Sequence, residues 1–194
     1  MSESWDEYAD TWDTNSEVIK YSEKAFDCIS ELIDLEGRDV LDFGCGTGLL
    51  TEKISNLASS VVAIDSSKKM IDILTEKKLE NVNPFVCEIT QESVKTIAAF
   101  HSKFDLIVAS SVCAFLEDYD STLIHLKSLL RPEGLFVQWD WKRVESDSEF
   151  GFTEDMIQQA YSNLDLKVIE IKSVFSIISE KGSMDVIMGM GKNA

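Results

Sequence analysis

The stretch Val40-Leu41-Asp42-Phe43-Gly44-Cys45-Gly46-Thr47-Gly48 decides how the rest of the chain is read. Its first four residues form a short apolar run of the kind a buried strand presents, and three alternating glycines follow at once. Lacking a Cβ, glycine turns tightly and lets a ligand touch bare backbone. Helical spacing resumes at Leu49, Leu50, Ile54 and Leu57, so the turn opens a helix. The N–H groups and partial positive charge at that helix start suit a carboxylate or phosphate. The spacing is G-x-G-x-G. A dinucleotide fingerprint needs glycine three positions beyond Gly46, where Leu49 stands, and no Gly-Lys-Ser/Thr follows to make a P-loop. A glycine turn without any ligand is the competing reading, and three glycines at a strand–helix junction weigh against it.

Working outward, Val61-Val62-Ala63-Ile64 reads as a second strand, and Asp65 follows it directly, 21 residues beyond Gly44. A carboxylate about 20 residues past such a turn meets a ribose with free hydroxyls. The alternative, that Asp65 caps the helix expected from Ser67 to Lys78 with Met70, Ile71 and Leu74 inward, is compatible with that role. Phe85-Val86 is a weak third strand, Phe104 to Ala109 a fourth, and Leu123 to Leu130 a helix. Arg131-Pro132-Glu133-Gly134 reads as a turn before a fifth strand, Leu135 to Trp139, and Thr153 caps a helix through Tyr161. Leu166 to Ile178 and Met184 to Met190, joined by Glu180-Lys181-Gly182-Ser183, predict a closing antiparallel hairpin.

Upstream, Trp5, Tyr8, Ala9 and Trp12 share one face of a short helix. A second helix carries Val18, Ile19, Phe26, Ile29, Leu32 and Ile33, with Gly37 placed to end it. Strands alternating with helices imply an α/β fold, a doubly wound, mostly parallel sheet covered on both faces. In such sheets ligands bind beyond the carboxyl ends of the strands, where the unusual residues of this chain fall. Nothing repeats, and with two prolines and no Gly/Ser linker a single domain over residues 1–194 is expected.

Composition narrows the function further. The chain has 194 residues, 44% of them apolar, enough for a full-sized core. The 35 acidic against 18 basic side chains give a net charge of −17, which disfavours nucleic acid and anionic membranes as partners. No apolar run approaches the ~20 residues that cross a bilayer. The first 20 residues hold six acids and one Lys, the opposite of a secretory or mitochondrial leader. A soluble, cytoplasmic protein is expected. Cys28, Cys45, Cys87 and Cys113 form no C-x-x-C pair and there are two histidines, so no metal site is expected.

Taken together, these motifs resemble those of the class I S-adenosylmethionine-dependent methyltransferases, small-molecule type, through most of the chain. Residues 40–48 match that family's first motif, and Val62-Ala63-Ile64-Asp65-Ser66-Ser67 with Met70 the second. Asn81-Val82 leading to Cys87-Glu88-Ile89 matches the third, with Glu88 where Asp is commoner. Phe104 to Ser111 matches the fourth, and Leu130 to Leu135 the turn before the fifth strand. The resemblance implies a seven-stranded Rossmann-like sheet of order 3-2-1-4-5-7-6 with the last strand antiparallel. It implies that Gly44, Cys45, Gly46 and Gly48 cradle the methionine part of S-adenosyl-L-methionine. Asp65 and Ser66 would then serve the ribose, Met70, Glu88 and Ile89 the adenine, and Ser110 the amino group. Asp42 either orders the glycine loop or reaches that amine through water. Tyr8 and Trp12 lie in a segment similar to the family's N-terminal lid, so residues 1–35 are expected to cover a cofactor-binding core of residues 36–194. An aromatic stripe docked on the sheet edge is the alternative.

The expected activity is transfer of the methyl group to a small molecule held between that lid and the loops after strands four and five, leaving S-adenosyl-L-homocysteine. Trp139, Trp141 and Phe115 are candidate aromatic walls, with one of the two Trp residues expected to face away as core or edge packing. Asp140 and Glu117 are the nearest candidate bases by position. Where relatives carry His after the fourth strand, this chain reads Ser-Val-Cys-Ala-Phe (111–115), so no catalytic residue is assigned. His101 and His125 stand in unremarkable settings. The competing readings are a non-catalytic S-adenosylmethionine-binding module, a nicotinamide oxidoreductase and a protein-directed methyltransferase.

Overall fold

Val40, Leu41 and Phe43 are buried together with Asp42, the burial expected of a strand covered on both faces. They form β1 (Asp39–Phe43) in the computed structural model, which describes residues 5–143, 150–179 and 182–194. The chain divides into two compact units, Met1–Glu88 and Ile89–Ala194.

In the first unit, β1 pairs in parallel with β2 (Ser60–Asp65), Val40 opposite Val61 and Phe43 opposite Ile64. β2 pairs in parallel with β3 (Val82–Val86), which extends the expected third strand toward its start. A 3-10 turn over Trp5–Glu7 precedes α1 (Ala9–Trp12), so the predicted first helix is broken at Tyr8. α2 (Ser16–Leu32) starts at an Asn15 cap that accepts from the Glu17 N–H, and buries Tyr21, Ala25 and Ile29 at four-residue spacing. It ends before Gly37: Ile33 is already extended, and that conformation lets both Ile33 and Leu35 reach the core. Gly37, at φ +73°, serves the turn that follows. α3 (Leu49–Ser55) and α4 (Lys68–Glu76) complete the unit, with Ile71 and Leu74 packed on Ala63 of β2.

The second unit holds α5 (Gln91–Thr96), β4 (Phe104–Ser110), α6 (Tyr119–Leu129), β5 (Leu130–Trp141), α7 (Glu154–Asn163), β6 (Leu166–Ser179) and β7 (Gly182–Asn193). The predicted turn at 131–134 lies inside β5 as an irregularity. Phe104 pairs with Leu130 and Leu106 with Leu135, so four residues loop out against one, with Glu133 at φ +65°. α5, which periodicity did not reveal, is started by a Thr90–Ser93 capping box. Thr153 caps α7 as expected, accepting from the Met156 N–H at 3.2 Å. α7 lies tight on β7: a Cβ on Gly189 would stand 2.6 Å from Ile157 Cγ2. β6 and β7 form the predicted antiparallel hairpin, whose linking residues Glu180 and Lys181 lie outside the described residues.

The strand order of the seven-stranded sheet is β3-β2-β1-β4-β5-β7-β6, and β7 is antiparallel to β5 and β6. This is the Rossmann-like arrangement expected from the sequence. No disulfide joins the four cysteines. Among the described residues no helix is long and apolar enough to cross a membrane.

Candidate functional site

The glycine turn is a preformed bend. Gly44, Gly46 and Gly48 have φ of +71°, +54° and +85°, the left-handed region that other residues enter at a cost. Its amides, however, are largely spent within the unit. The Gly44 and Cys45 N–H groups donate to the Ile64 carbonyl at 2.8 and 3.0 Å, and the Gly48 N–H donates to the Cys45 carbonyl. The Gly46 N–H donates to Asp65 Oδ2 at 2.9 Å. The sequence predicts a loop that offers its amides to an anion. What the fold delivers is a rigid cradle without side chains, followed by a helix that starts without a side-chain cap.

Asp65 ends β2, half-buried, and joins two segments. Its second oxygen accepts from the Ser67 N–H at 2.8 Å. The cap of α4 is Ser67, whose hydroxyl accepts from the Met70 N–H, so the helix-cap reading of Asp65 is replaced by a bridge between the glycine turn and that cap. Burial raises the Asp65 carboxyl above its ordinary range, and the amides of Ser67, Gly46 and Ser66 oppose the rise. Two of the roughly four acceptor directions of a carboxylate are thereby used, and two are left for a diol.

Asp42 is fully buried, accepting from the Thr51 hydroxyl at 2.6 Å and tying β1 to α3 across the turn. Burial, with a contribution from the Asp65 charge, pushes it up to about 7. Of the two roles open in the sequence, this geometry matches the ordering of the glycine loop.

The N-terminal segment lies on this cradle. A Cβ on Gly46 would stand 3.3 Å from Trp12 Nε1 and 3.9 Å from Met70 Sδ, so the indole, the thioether and the bare Cα meet. Trp5 packs edge-on against Trp12 at 6.0 Å and on Tyr8 at 5.9 Å. Tyr8 itself is exposed, and Ser66 is exposed beside Asp65. Two acids fasten the segment. Asp6 accepts from the Ser67 hydroxyl and the Lys69 N–H, and Asp13 accepts from the Thr47 hydroxyl and pairs with Lys77 at 3.1 Å. The sequence reading missed Asp6, Asp13 and Thr47. A signal was present: Trp-Asp occurs at 5–6 and again at 12–13, two turns of helix apart.

Glu88 is exposed just beyond β3 and closes the first unit, while Ile89 is buried at the start of the second. Ser110 is the half-buried last residue of β4, and Ser111 after it adopts φ +56° and donates its N–H to the Trp139 carbonyl. Trp139 is completely buried and is core, while Trp141 is half-buried; two residues apart in β5, the pair shares one face of the strand, so, contrary to expectation, neither is turned away from the other. Asp140 is also completely buried, its Oδ1 accepting from the Ala114 N–H at 3.1 Å and its Oδ2 from Gln138 Nε2 at 3.3 Å. Burial pushes it up to about 8. Glu117 is exposed.

Comparison with known proteins agrees with this geometry. Residues 41–136 match a family model described as a methyltransferase domain. An uncharacterized methyltransferase of Schizosaccharomyces pombe is 31% identical over 108 residues, covering 52% of this chain and 38% of the relative. The mitochondrial ubiquinone biosynthesis O-methyltransferase of Bos taurus is 33% identical over 113 residues, covering 53% of this chain and 29% of the relative. The chain thus spans well under half the length of these curated relatives. Among solved structures, the N-methyltransferase NodS of Bradyrhizobium japonicum, in complex with S-adenosyl-L-homocysteine, aligns with a TM-score of 0.69 at 18% identity, covering 98% of this chain and 99% of the other. At that identity the alignment speaks for the fold. With the strand order and the ordered motifs around Gly44–Gly48 and Asp65, the domain match establishes that the chain belongs to the class I S-adenosylmethionine-dependent methyltransferase family.

Proposed function

We propose that the chain transfers a methyl group from S-adenosyl-L-methionine to a small-molecule acceptor. The observation that carries this reading is the juxtaposition in the first unit of a side-chain-free cradle, the Trp12 indole above it and the Asp65 carboxylate at its edge. These residues fit the cofactor: Gly46 leaves space that any Cβ would fill, and Asp65 keeps two acceptor directions for ribose hydroxyls. Gly44, Cys45, Gly46 and Gly48 would hold the amino-acid end. Met70 would flank the base, and Glu88, at the end of the first unit, would serve its amino group. Tyr8 and Trp12 would cover the site and exclude water.

The bound sulfonium supplies a methyl carbon that is already electrophilic. What the chain must add is alignment, and well-oriented reactants can contribute ~7–11 kcal/mol to lowering a barrier. A cofactor site without an evident catalytic dyad is consistent with that division of work. A module that binds without transferring is not favoured, because the curated relatives are named as methyltransferases. The small-molecule class of acceptor is supported by a relative named for ubiquinone biosynthesis, and a cytoplasmic location by the acidic composition.

Two measurements test the proposal. Calorimetry with S-adenosyl-L-homocysteine should register one site per chain. Incubation with labelled S-adenosyl-L-methionine and a metabolite extract should move label into the small-molecule fraction. Absence of binding overturns the cofactor assignment, and label confined to macromolecules overturns the acceptor class.

A further inference from the structure

The second unit contains a cavity of about 520 Å3 whose described lining residues all lie between 113 and 163. Cys113, Ala114 and Tyr119 supply one side, from the connection between β4 and α6. Phe152, Met156 and Ala160 supply the other, from the start of α7 and the residues before it. The Tyr119 and Phe152 rings pack at 4.9 Å.

Behind this wall runs a buried polar network that leaves the cavity at one point and returns to it at another. The Cys113 thiol and the Ala114 N–H both donate to Asp140. Gln138 joins Asp140 through its Nε2, and its Oε1 accepts from the hydroxyls of Tyr119 and Tyr161. Gln138, Asp140 and Tyr161 are completely buried. Polar groups so placed cost several kcal/mol unless hydrogen-bonded, and here the links run from Cys113 and Ala114 on the wall, through buried Asp140 and Gln138, to Tyr119 on the wall. The arrangement holds Cys113–Ala114 and Tyr119, six residues apart in sequence, at fixed positions on one surface.

The polarity of the lining selects the ligand. Glu117, Asp118 and Asp120 present carboxylates at the exposed edge, against one cationic side chain, Arg143, among the described lining residues. Tyr119 commits its proton to Gln138 and turns only a lone pair elsewhere. Three carboxylates against one guanidinium leave the described lining net negative, with Gln159 and Asn163 offering both donors and acceptors, next to an apolar surface made by Leu116, Phe152 and Met156. We propose that this cavity binds a protonated amine carried on a small aromatic or branched apolar body, and that Asp140 is the positioning residue for its wall. The proposal concerns the second unit alone and stands apart from the methyl-transfer reading.

The test uses the full chain, labelled with 13C-methyl methionine, and three probes of one shape: 2-phenylethylamine, 2-phenylethanol and 3-phenylpropanoate. The amine should bind saturably and shift the Met156 methyl signal, at least tenfold more tightly than either other probe. The double variant Glu117→Gln with Asp120→Asn should weaken the amine about tenfold and leave the alcohol unchanged. Asp140→Ala should lose about tenfold in amine affinity, and Asp140→Asn, which keeps an acceptor for the Ala114 N–H, should restore it to within threefold. A circular-dichroism melt, run in parallel, reports that each variant is folded. Equal affinity for the three probes, an unmoved Met156 signal, or an amine affinity indifferent to the Glu117/Asp120 substitutions overturns the binding site. An Asp140→Ala protein that binds as the parent does overturns the positioning role. Should that variant fail to fold, Gln138→Leu, which cuts the same network between Asp140 and Tyr119, takes its place: about a tenfold loss is expected, and parent-like amine binding overturns the positioning role.

Discussion

Replacing Asp65 by alanine separates the two jobs this carboxylate does. In the ligand-free chain it accepts from Gly46 and Ser67 at 2.9 and 2.8 Å, and a hydrogen bond to a charged group is worth roughly 1.5–3 kcal/mol. The site is half-buried, so both amides can recover water, and the net cost to folding should be about 3 kcal/mol. That lies below the ~5–15 kcal/mol typical of a domain, and for a chain of this length it corresponds to a fall of roughly 6–12 °C in Tm. Binding should suffer more. Two ribose hydroxyls on the remaining acceptor directions contribute about 3 kcal/mol at the low end, a factor of ~100 or more in Kd. Calorimetric titration with S-adenosyl-L-homocysteine, paired with a circular-dichroism melt, reads both quantities. Asp65→Asn, which retains one acceptor oxygen, should fall between. A folded alanine variant whose Kd stays within threefold of the parent would refute the ribose assignment and leave Asp65 as a purely structural bridge.

Three further outcomes are expected. Asp42 is raised from 3.8 to about 7 by burial, so its folded form holds a proton that the unfolded chain releases. Its contribution is complete below pH ~4 and is lost as pH climbs to 7, up to about 4 kcal/mol, and Asp42→Asn should flatten the denaturant midpoint between pH 5 and 8 relative to the parent. Asp140, raised to about 8, works in the same direction and extends the parent's decline to that pH. Gly48→Ala forces φ +85° on a residue whose Cβ would stand 2.4 Å from Leu74 Cδ1, and should lower stability by about 2–4 kcal/mol in a urea melt. Asp13→Ala removes the contacts to Thr47 and Lys77, and limited proteolysis should cut the first 15 residues faster while the main melt moves by less than about 3 °C; an unchanged cleavage rate would count against the fastening role.

The parts of the fold legible in the sequence were those where burial imposes a local pattern. Val61 to Ile64 and Leu106 to Ala109 are apolar throughout because both faces of those strands are covered, and the Thr153 cap was visible because capping is a contact between chain neighbours. The errors occur where tertiary packing overrides local preference. Gly37 looked like a helix stop, yet the burial of Ile33 and Leu35 ends α2 earlier. Arg131-Pro132-Glu133-Gly134 looked like a turn before a strand, but pairing of Leu130 with Phe104 places it within one. In the candidate site, Asp65 and the glycines were legible from spacing. The Asp6 and Asp13 contacts were not, because in a chain with 35 acids nothing short of the folded backbone distinguishes two that bond from those that face water.

The chain alone determined that a bend free of side chains follows the first strand, that a carboxylate ends the second, and that strands and helices alternate around them. Those properties depend on residues adjacent in sequence and on backbone angles open chiefly to glycine. Only the tertiary structure decided that the loop amides turn inward to Ile64 and Asp65, that Trp12 rests over Gly46, and that Asp140 is sealed behind a cavity wall. Each of these is a contact between segments distant along the chain. Whether a polar group meets water or another segment is settled by packing, which no local pattern encodes.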